Sequence, residues 1–141
     1  MAERKIRLGA FIPTTSQHAA GWRHPESRPQ DHLNIDYAIE LVKTAERGLF
    51  DAYFLADTLA VRGDWGSATS KGWGLGDKDT GFEPVTLFAA LSAVTKNIGF
   101  VATASTTYEH PYTLARKYAS LDHISKGRAA WNVVTTASKQ V

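Results

Sequence analysis

The stretch from Ile98 to Thr136, IGFVATASTTYEHPYTLARKYASLDHISKGRAAWNVVTT, constrains the fold more than any other part of the chain. It opens on Ile98-Gly99-Phe100-Val101-Ala102-Thr103 and closes on Ala129-Ala130-Trp131-Asn132-Val133-Val134. Both are short apolar runs of the kind that make strands buried on both faces. Between them Leu114, Tyr118 and Leu121 recur at helical spacing, with Ala115 and Ala119 beside them. Pro111 suits a first helical turn, where its missing N–H costs nothing. Ser125-Lys126-Gly127 reads as a helix-ending turn, with Gly127 available for positive φ. The pattern predicts strand–helix–strand, and a helical crossover returns the chain to the same end of the sheet, so the two strands are expected to be parallel.

The rest of the chain repeats this unit. Ile6 to Ile12 reads as a first strand stopped by Pro13, with Thr14, Thr15, Ser16 and Gln17 after it. The polar segment His18 to Leu33 is long for a strand–helix connection, and such length marks a functional or a disordered loop. It sets His18, Trp22 and Arg23 close together. Asn34 is placed to cap a helix running to about Arg47, with Ile35, Ala38, Ile39, Val42, Ala45 and Leu49 as its apolar stripe and Gly48 as its exit. Glu40, Lys43 and Glu46 read as its solvated face. Ala52 to Leu55 is the second strand, and Asp57 follows it, placed either to cap the next segment or to face a ligand. Thr58 to Glu83 is punctuated by glycines, with Trp65 and Trp73 between them, and is expected to be a lid, a binding loop or mobile chain. Its glycines match no phosphate or dinucleotide fingerprint. Pro84 opens a helix to Thr95 with Glu83 at its positive end, and Asn97 is a candidate for a left-handed exit.

Four strands and three helices therefore alternate in one α/β domain. A length of 141 residues suffices for one core. At 43% hydrophobic and 21% charged the chain has no compositional sign of disorder. A net charge of +2 with signs interspersed leaves no nucleic-acid footprint, and no apolar stretch is long enough to span a bilayer. The absence of cysteine excludes disulfides, thiolate nucleophiles and zinc–thiolate sites. With no secretory signal recognisable after Met1, it fits a cytoplasmic protein. Thr103, Ser105, Thr106 and Thr107 end one strand, and Asn132, Thr135 and Thr136 end the next. In parallel α/β folds ligands sit at the carboxyl ends of the strands. Pattern alone leaves open whether the sheet closes into a (β/α)8 barrel or stays doubly wound.

The run VATASTTYEHPYTLARKYASLDHISKGRAAWNVVT resembles the flavin-dependent monooxygenases of the bacterial luciferase-like superfamily. The branch is that of the nitrilotriacetate, EDTA and dibenzothiophene-sulfone monooxygenases, with long-chain alkane monooxygenase nearby. The resemblance implies the N-terminal half of a (β/α)8 TIM barrel, spanning residues 1–141 and stopping after the fourth strand. It implies a two-component enzyme that takes FMN in its reduced form, FMNH2, from a separate NAD(P)H-dependent flavin reductase. With O2 it would oxidise a small organic molecule, often breaking a C–N or C–S bond. Asp57 matches the family's flavin-contacting acid and Thr103 its hydroxyl residue after the third strand. Asn132 is a third cofactor-binding candidate, with a buried structural amide as the alternative. His18 resembles a substrate-pocket or proton-handling histidine and is the catalytic candidate, with a plain loop histidine as the alternative. Tyr108, His110 and His123 carry weaker signals. Trp22, Trp65 and Trp73 suit an apolar or planar guest, and Arg23, Arg28 and Arg62 suit a carboxylate. A phosphate grip commonly follows strands seven and eight of such barrels, so none is expected within this stretch.

Half a barrel leaves strand edges unpaired. The chain is accordingly expected to be inactive alone and either homo-oligomeric or completed by the other half. The competing readings are a noncatalytic half-barrel assembly module and a different TIM-barrel enzyme such as a lyase or hydrolase.

Overall fold

The computed structural model describes residues 5–12, 18, 21–59 and 81–136. Among them four strands and three α-helices alternate: β1 (Gly9–Phe11), α1 (Ile35–Arg47), β2 (Ala52–Leu55), α2 (Pro84–Ala93), β3 (Gly99–Ser105), α3 (Pro111–Ser125) and β4 (Ala129–Val134). Single 3-10 turns at Gly21–Arg23 and Pro29–Asp31 shape the first connection. The sheet is parallel throughout, in the order β1-β2-β3-β4, as successive helical crossovers require. No helix among the described residues is long and apolar enough to cross a membrane.

The register divides the side chains cleanly. Ala10, Tyr53, Phe100 and Ala129 lie in one row, and Leu55, Ala102 and Trp131 in the next. These rows face the helices, where Tyr53, Phe100 and Ala102 join Val42, Phe88, Leu91 and Leu121 in a single core. Phe88 packs edge-on against Tyr53 and tilted against Phe100. The alternate rows, Phe11–Phe54–Val101–Ala130 and Thr103–Asn132, face the other way. There the burial is partial, and Phe11 is 42% exposed. The apolar runs of β3 and β4 predicted burial on both faces. The difference arises because all three helices cover one face, which leaves Phe11 and Ala130 exposed on the other.

Each helix begins where a side chain accepts its first free amides. Asn34 takes the N–H of Asp36 at 3.0 Å, and Glu83 takes those of Val85 and Thr86 with separate oxygens. His110 takes that of Tyr112 through Nδ1. Pro84 and Pro111 follow their caps directly. α3 ends as expected, with Lys126 and Gly127 both at positive φ. The exit of α1 differs: Gly48 stays at φ −76°, and the exposed Leu49 takes the left-handed turn at φ 60°. This lets the Phe50 amide bond back to Ala45. Asn97 is not left-handed either, because α2 closes earlier, at Val94.

At the amino ends of the strands, charge locks the turn that feeds β3. Glu46 is no solvated-face residue: one carboxylate oxygen accepts from the backbone amides of Lys96, Asn97 and Ile98. Burial alone would raise its pKa, but those donors, with the Arg128 charge, hold it below the usual glutamate range. Arg128 donates to the carbonyls of Ser92, Thr95, Ile98 and Ser125 and to the Thr95 hydroxyl, and lies over the Phe100 ring. Asp51 similarly ties Arg7 and the Leu8 amide to the start of β2. A further bond joins the layers: the Tyr53 hydroxyl donates to the carbonyl of Ile12 at 3.1 Å. Burial, with a small contribution from the Tyr37 phenol, pushes the Tyr53 pKa up to about 12.

Removing the Glu46 carboxylate orphans three amides. Glu46→Ala is expected to cost about 1.5–3 kcal/mol in urea unfolding, and Glu46→Gln less. Because the folded pKa is lowered, this stabilisation is present above the ordinary glutamate pKa and is lost as pH falls through the folded value. The wild-type chain should therefore converge on Glu46→Gln in acid. Separately, β1 and β4 have no partner on their outer edges among the described residues. The isolated chain should self-associate; sedimentation as a compact monomer with cooperative unfolding would rule this out.

Candidate functional site

The parallel register brings the polar ends of β2, β3 and β4 to one side. There a cleft of about 500 Å³ is lined by Asp57, Glu83, Thr103, Ser105, Glu109 and Thr136 with their neighbours. Two of the four sequence candidates, Asp57 and Thr103, line it directly. Asn132 reaches it through Thr103: its side-chain amide donates to the Thr103 hydroxyl at 3.0 Å, and that hydroxyl donates to the Leu55 carbonyl at 2.8 Å. Thr103 is 3% exposed. Its proton belongs to Leu55 and one lone pair to Asn132, so toward a ligand it presents only its one remaining lone pair.

Asp57 stands two residues beyond β2 and accepts from the Thr58 amide at 2.9 Å. Partial desolvation raises its pKa above the ordinary aspartate range. The Thr58 N–H works against this, and the negative charge of Glu83 adds to it. A carboxylate has about four lone-pair sites, so the Thr58 amide leaves it able to accept from further donors. Glu83 and Glu109 are the acids that periodicity did not assign to this site. Glu83 arrives because it caps α2, whose amino end points at the cleft, and Glu109 is held by Lys117.

The hydroxyls at the ends of β3 and β4 interlock. Thr106 donates to the Val134 carbonyl and Thr107 to that of Thr135. Ser105 bonds to the Thr136 hydroxyl at 2.5 Å and accepts from the Thr107 amide. Thr136 lies at φ 48°, a left-handed conformation that a β-branched residue rarely adopts. The clustering of Ser and Thr at both strand ends was the sequence signal for this arrangement; its pairing and its strain were not legible.

The first connection is built differently from the expectation. His18 is exposed and is not among the cleft-lining residues; its carbonyl accepts from the Gly21 amide. Trp22 is half-buried under the Arg23 guanidinium, 5.0 Å from the ring centroid. Arg28 is engaged: it pairs with Asp31 and Glu40 and lies 4.3 Å over the Tyr37 ring, so its charge serves the loop. His110 is a helix cap. Trp65, Trp73 and Arg62, with the lid expected around them, lie outside the described residues, as do Thr14 to Gln17.

Four parallel strands joined by three helices, with acids and hydroxyls gathered at the carboxyl rim, form part of a (β/α)8 barrel scaffold. The chain belongs to the luciferase-like monooxygenase family, whose model matches residues 6–141. It is 49% identical over 135 residues to N-acetyl-S-(2-succino)cysteine monooxygenase of Bacillus subtilis (strain 168), covering 96% of this chain and 29% of that protein. It is 44% identical to nitrilotriacetate monooxygenase component A of Aminobacter aminovorans, covering 97% and 31%. Among solved structures, riboflavin lyase with modified FMN and substrate riboflavin superposes with a TM-score of 0.87 at 36% identity, covering 97% of this chain and 31% of that one. The chain thus spans about three-tenths of the length of these relatives.

The desolvation of Asp57 has a measurable consequence. A carboxyl whose folded pKa is raised favours the fold in its protonated form and opposes it as pH rises through that value. Asp57→Asn should therefore melt at or above the wild-type temperature at neutral pH. The difference should vanish in acid below the ordinary aspartate pKa, as followed by thermal unfolding across pH.

Proposed function

We propose that this chain forms the amino-terminal half of the (β/α)8 barrel of an FMN-dependent monooxygenase. The complete protein would accept reduced flavin from a separate NAD(P)H-dependent reductase and use O2 to oxidise a small organic substrate, in the cytoplasm. The observation that carries this reading is the partly desolvated Asp57 carboxylate. It shares one cleft with Thr103 at the carboxyl ends of β2 and β3, within a family of named monooxygenases.

The residues present fit a flavin edge. A reduced isoalloxazine carries N–H donors, and the β2–β3 side of the cleft offers acceptors: the Asp57 carboxylate and the remaining lone pair of Thr103. When bound, the flavin supplies the oxygen chemistry. The chain's residues bind and orient it. Asp57 anchors a donor of the ring or ribityl chain. Asn132, by donating to Thr103, fixes which way the Thr103 oxygen faces. The cleft's apolar wall, Ala104, Val133 and Leu59, limits water near the ring. His18 is retained as a proton-handling candidate that would approach only with the rest of its loop. The uncovered inner rows, Phe11–Phe54–Val101–Ala130, suit a sheet that closes into a barrel with further β/α units.

The test is an anaerobic titration of the complete enzyme with FMNH2. Asp57→Asn keeps size and an acceptor oxygen but loses the charge, so affinity is expected to fall about 10- to 150-fold with the fold intact. Unchanged affinity would remove Asp57 from the cofactor site.

A further inference from the structure

Among the described residues the charged side chains lining the cleft are all acids: Asp57 beyond β2, Glu83 at the start of α2 and Glu109 between β3 and α3. They are not equivalent. Glu109 is neutralised by Lys117 of α3. Neither Asp57 nor Glu83 has a basic partner among the described residues. Val133 to Thr136, at the β4 end, bring no charge to the lining, and His110, beside Glu109, is turned to the Tyr112 amide. Asp57 therefore meets one uncompensated charge, that of Glu83. Glu83 is fixed where it stands. One of its oxygens accepts from the Val85 amide at 3.0 Å and the other from Thr86 at 2.7 Å, and the buried Pro84 sets the backbone beside it. A side chain held through both oxygens does not swing away to relieve repulsion. Its charge is felt at two places: it adds to desolvation in raising the Asp57 pKa, and to burial in raising that of the Tyr118 phenol. Both acids are open to solvent at this rim. Further β/α units closing the barrel would exclude water between them and lengthen the reach of the charge.

We propose that Glu83 is a positioning residue that acts through Asp57: its fixed negative charge strengthens the Asp57 carboxylate as an acceptor for a ligand N–H and sets the pH below which that acceptor is lost. The proposal rests on the flavin reading above and gives Glu83 no contact with the ligand. A carboxylate beside a like charge holds a proton more tightly. While ionised it is the better acceptor, and it is protonated at a higher pH. Affinity for a ligand that donates to Asp57 should therefore fall in acid, and the fall should begin at a higher pH than Asp57 would give without Glu83.

The complete enzyme would be titrated anaerobically with FMNH2 across pH, with thermal unfolding of ligand-free samples over the same range. The ligand's own ionisations are common to all variants, so differences between variants report the protein. Glu83→Asn and Glu83→Asp both leave a good helix cap and differ in charge. The acid midpoint of binding is expected to move to lower pH in Glu83→Asn and to stay near that of the wild type in Glu83→Asp. Glu83→Gln, which keeps the side-chain length, should match Glu83→Asn. In the Asp57→Asn background none of these substitutions should change the pH profile, since Glu83 acts through Asp57. Without ligand, the gain in melting temperature from Asp57→Asn at neutral pH should be smaller in Glu83→Asn than in the wild type. Equal shifts in the Asn and Asp variants would trace the effect to the cap and overturn the proposal. An acid midpoint that Glu83→Asn and Glu83→Gln leave in place, with Asp57→Asn still weakened, would overturn it while the flavin reading stands. A wild-type enzyme that takes up no FMNH2 would remove both.

Discussion

The turn between α2 and β3 is the point on which the rest of the structure depends. Three successive amides, those of Lys96, Asn97 and Ile98, converge on one oxygen of Glu46, and the carbonyls on either side converge on Arg128. Unpaired backbone groups would be costly at the buried ends of this turn, Thr95 and Ile98. Here a single acid from α1 and a single base from the start of β4 satisfy it. These two side chains fix the height at which β3 enters the sheet. Gly99 follows immediately, where an added Cβ would stand only 3.2 Å from the Asp51 carbonyl, so β3 can pass close to β2. Once that height is set, parallel register carries Thr103 opposite Asn132 and Ser105 opposite Val134. The arrangement of the cleft is thus decided at the far end of the sheet.

The two ends of the strands have different work. At the amino end, acids and bases meet directly or meet backbone groups: Arg7 with Asp51, Glu46 with its amides, Arg128 with its carbonyls. At the carboxyl end, Asp57 keeps accepting capacity and Glu83 adds to the negative potential beside it. This division is what a β/α scaffold allows, with stability concentrated on one rim and chemistry on the other.

What could be read from the sequence follows the range of the interaction. β2 and β4 have the bounds expected from their apolar runs, and α3 begins at Pro111 and ends before Gly127, because strand and helix periodicity and capping act over a few residues. The shared rim of Asp57 and Thr103 followed from topology alone. The Glu46 contact spans about fifty residues, and no local pattern separates an acid bound for a distant turn from one facing water. Arg28 is engaged both locally, by Asp31 three residues on, and at longer range, by Glu40 of α1. Gly48 was the better residue for a left-handed exit, yet Leu49 takes it, because the Phe50 amide finds its acceptor one residue later than the glycine would allow.

The Tyr53 hydroxyl gives the loop that follows β1 an anchor from behind. Tyr53 belongs to the helix layer, wedged against Phe88, yet it holds the Ile12 carbonyl at the rim where the chain leaves β1. With its acidity suppressed, it stays a donor across the whole range in which the chain would be folded. The root of that loop is therefore moored to the core rather than to anything in the cleft. Residues further along the loop can be exchanged without loosening the mooring, so the scaffold separates the inheritance of the sheet from the diversification of whatever the loop meets.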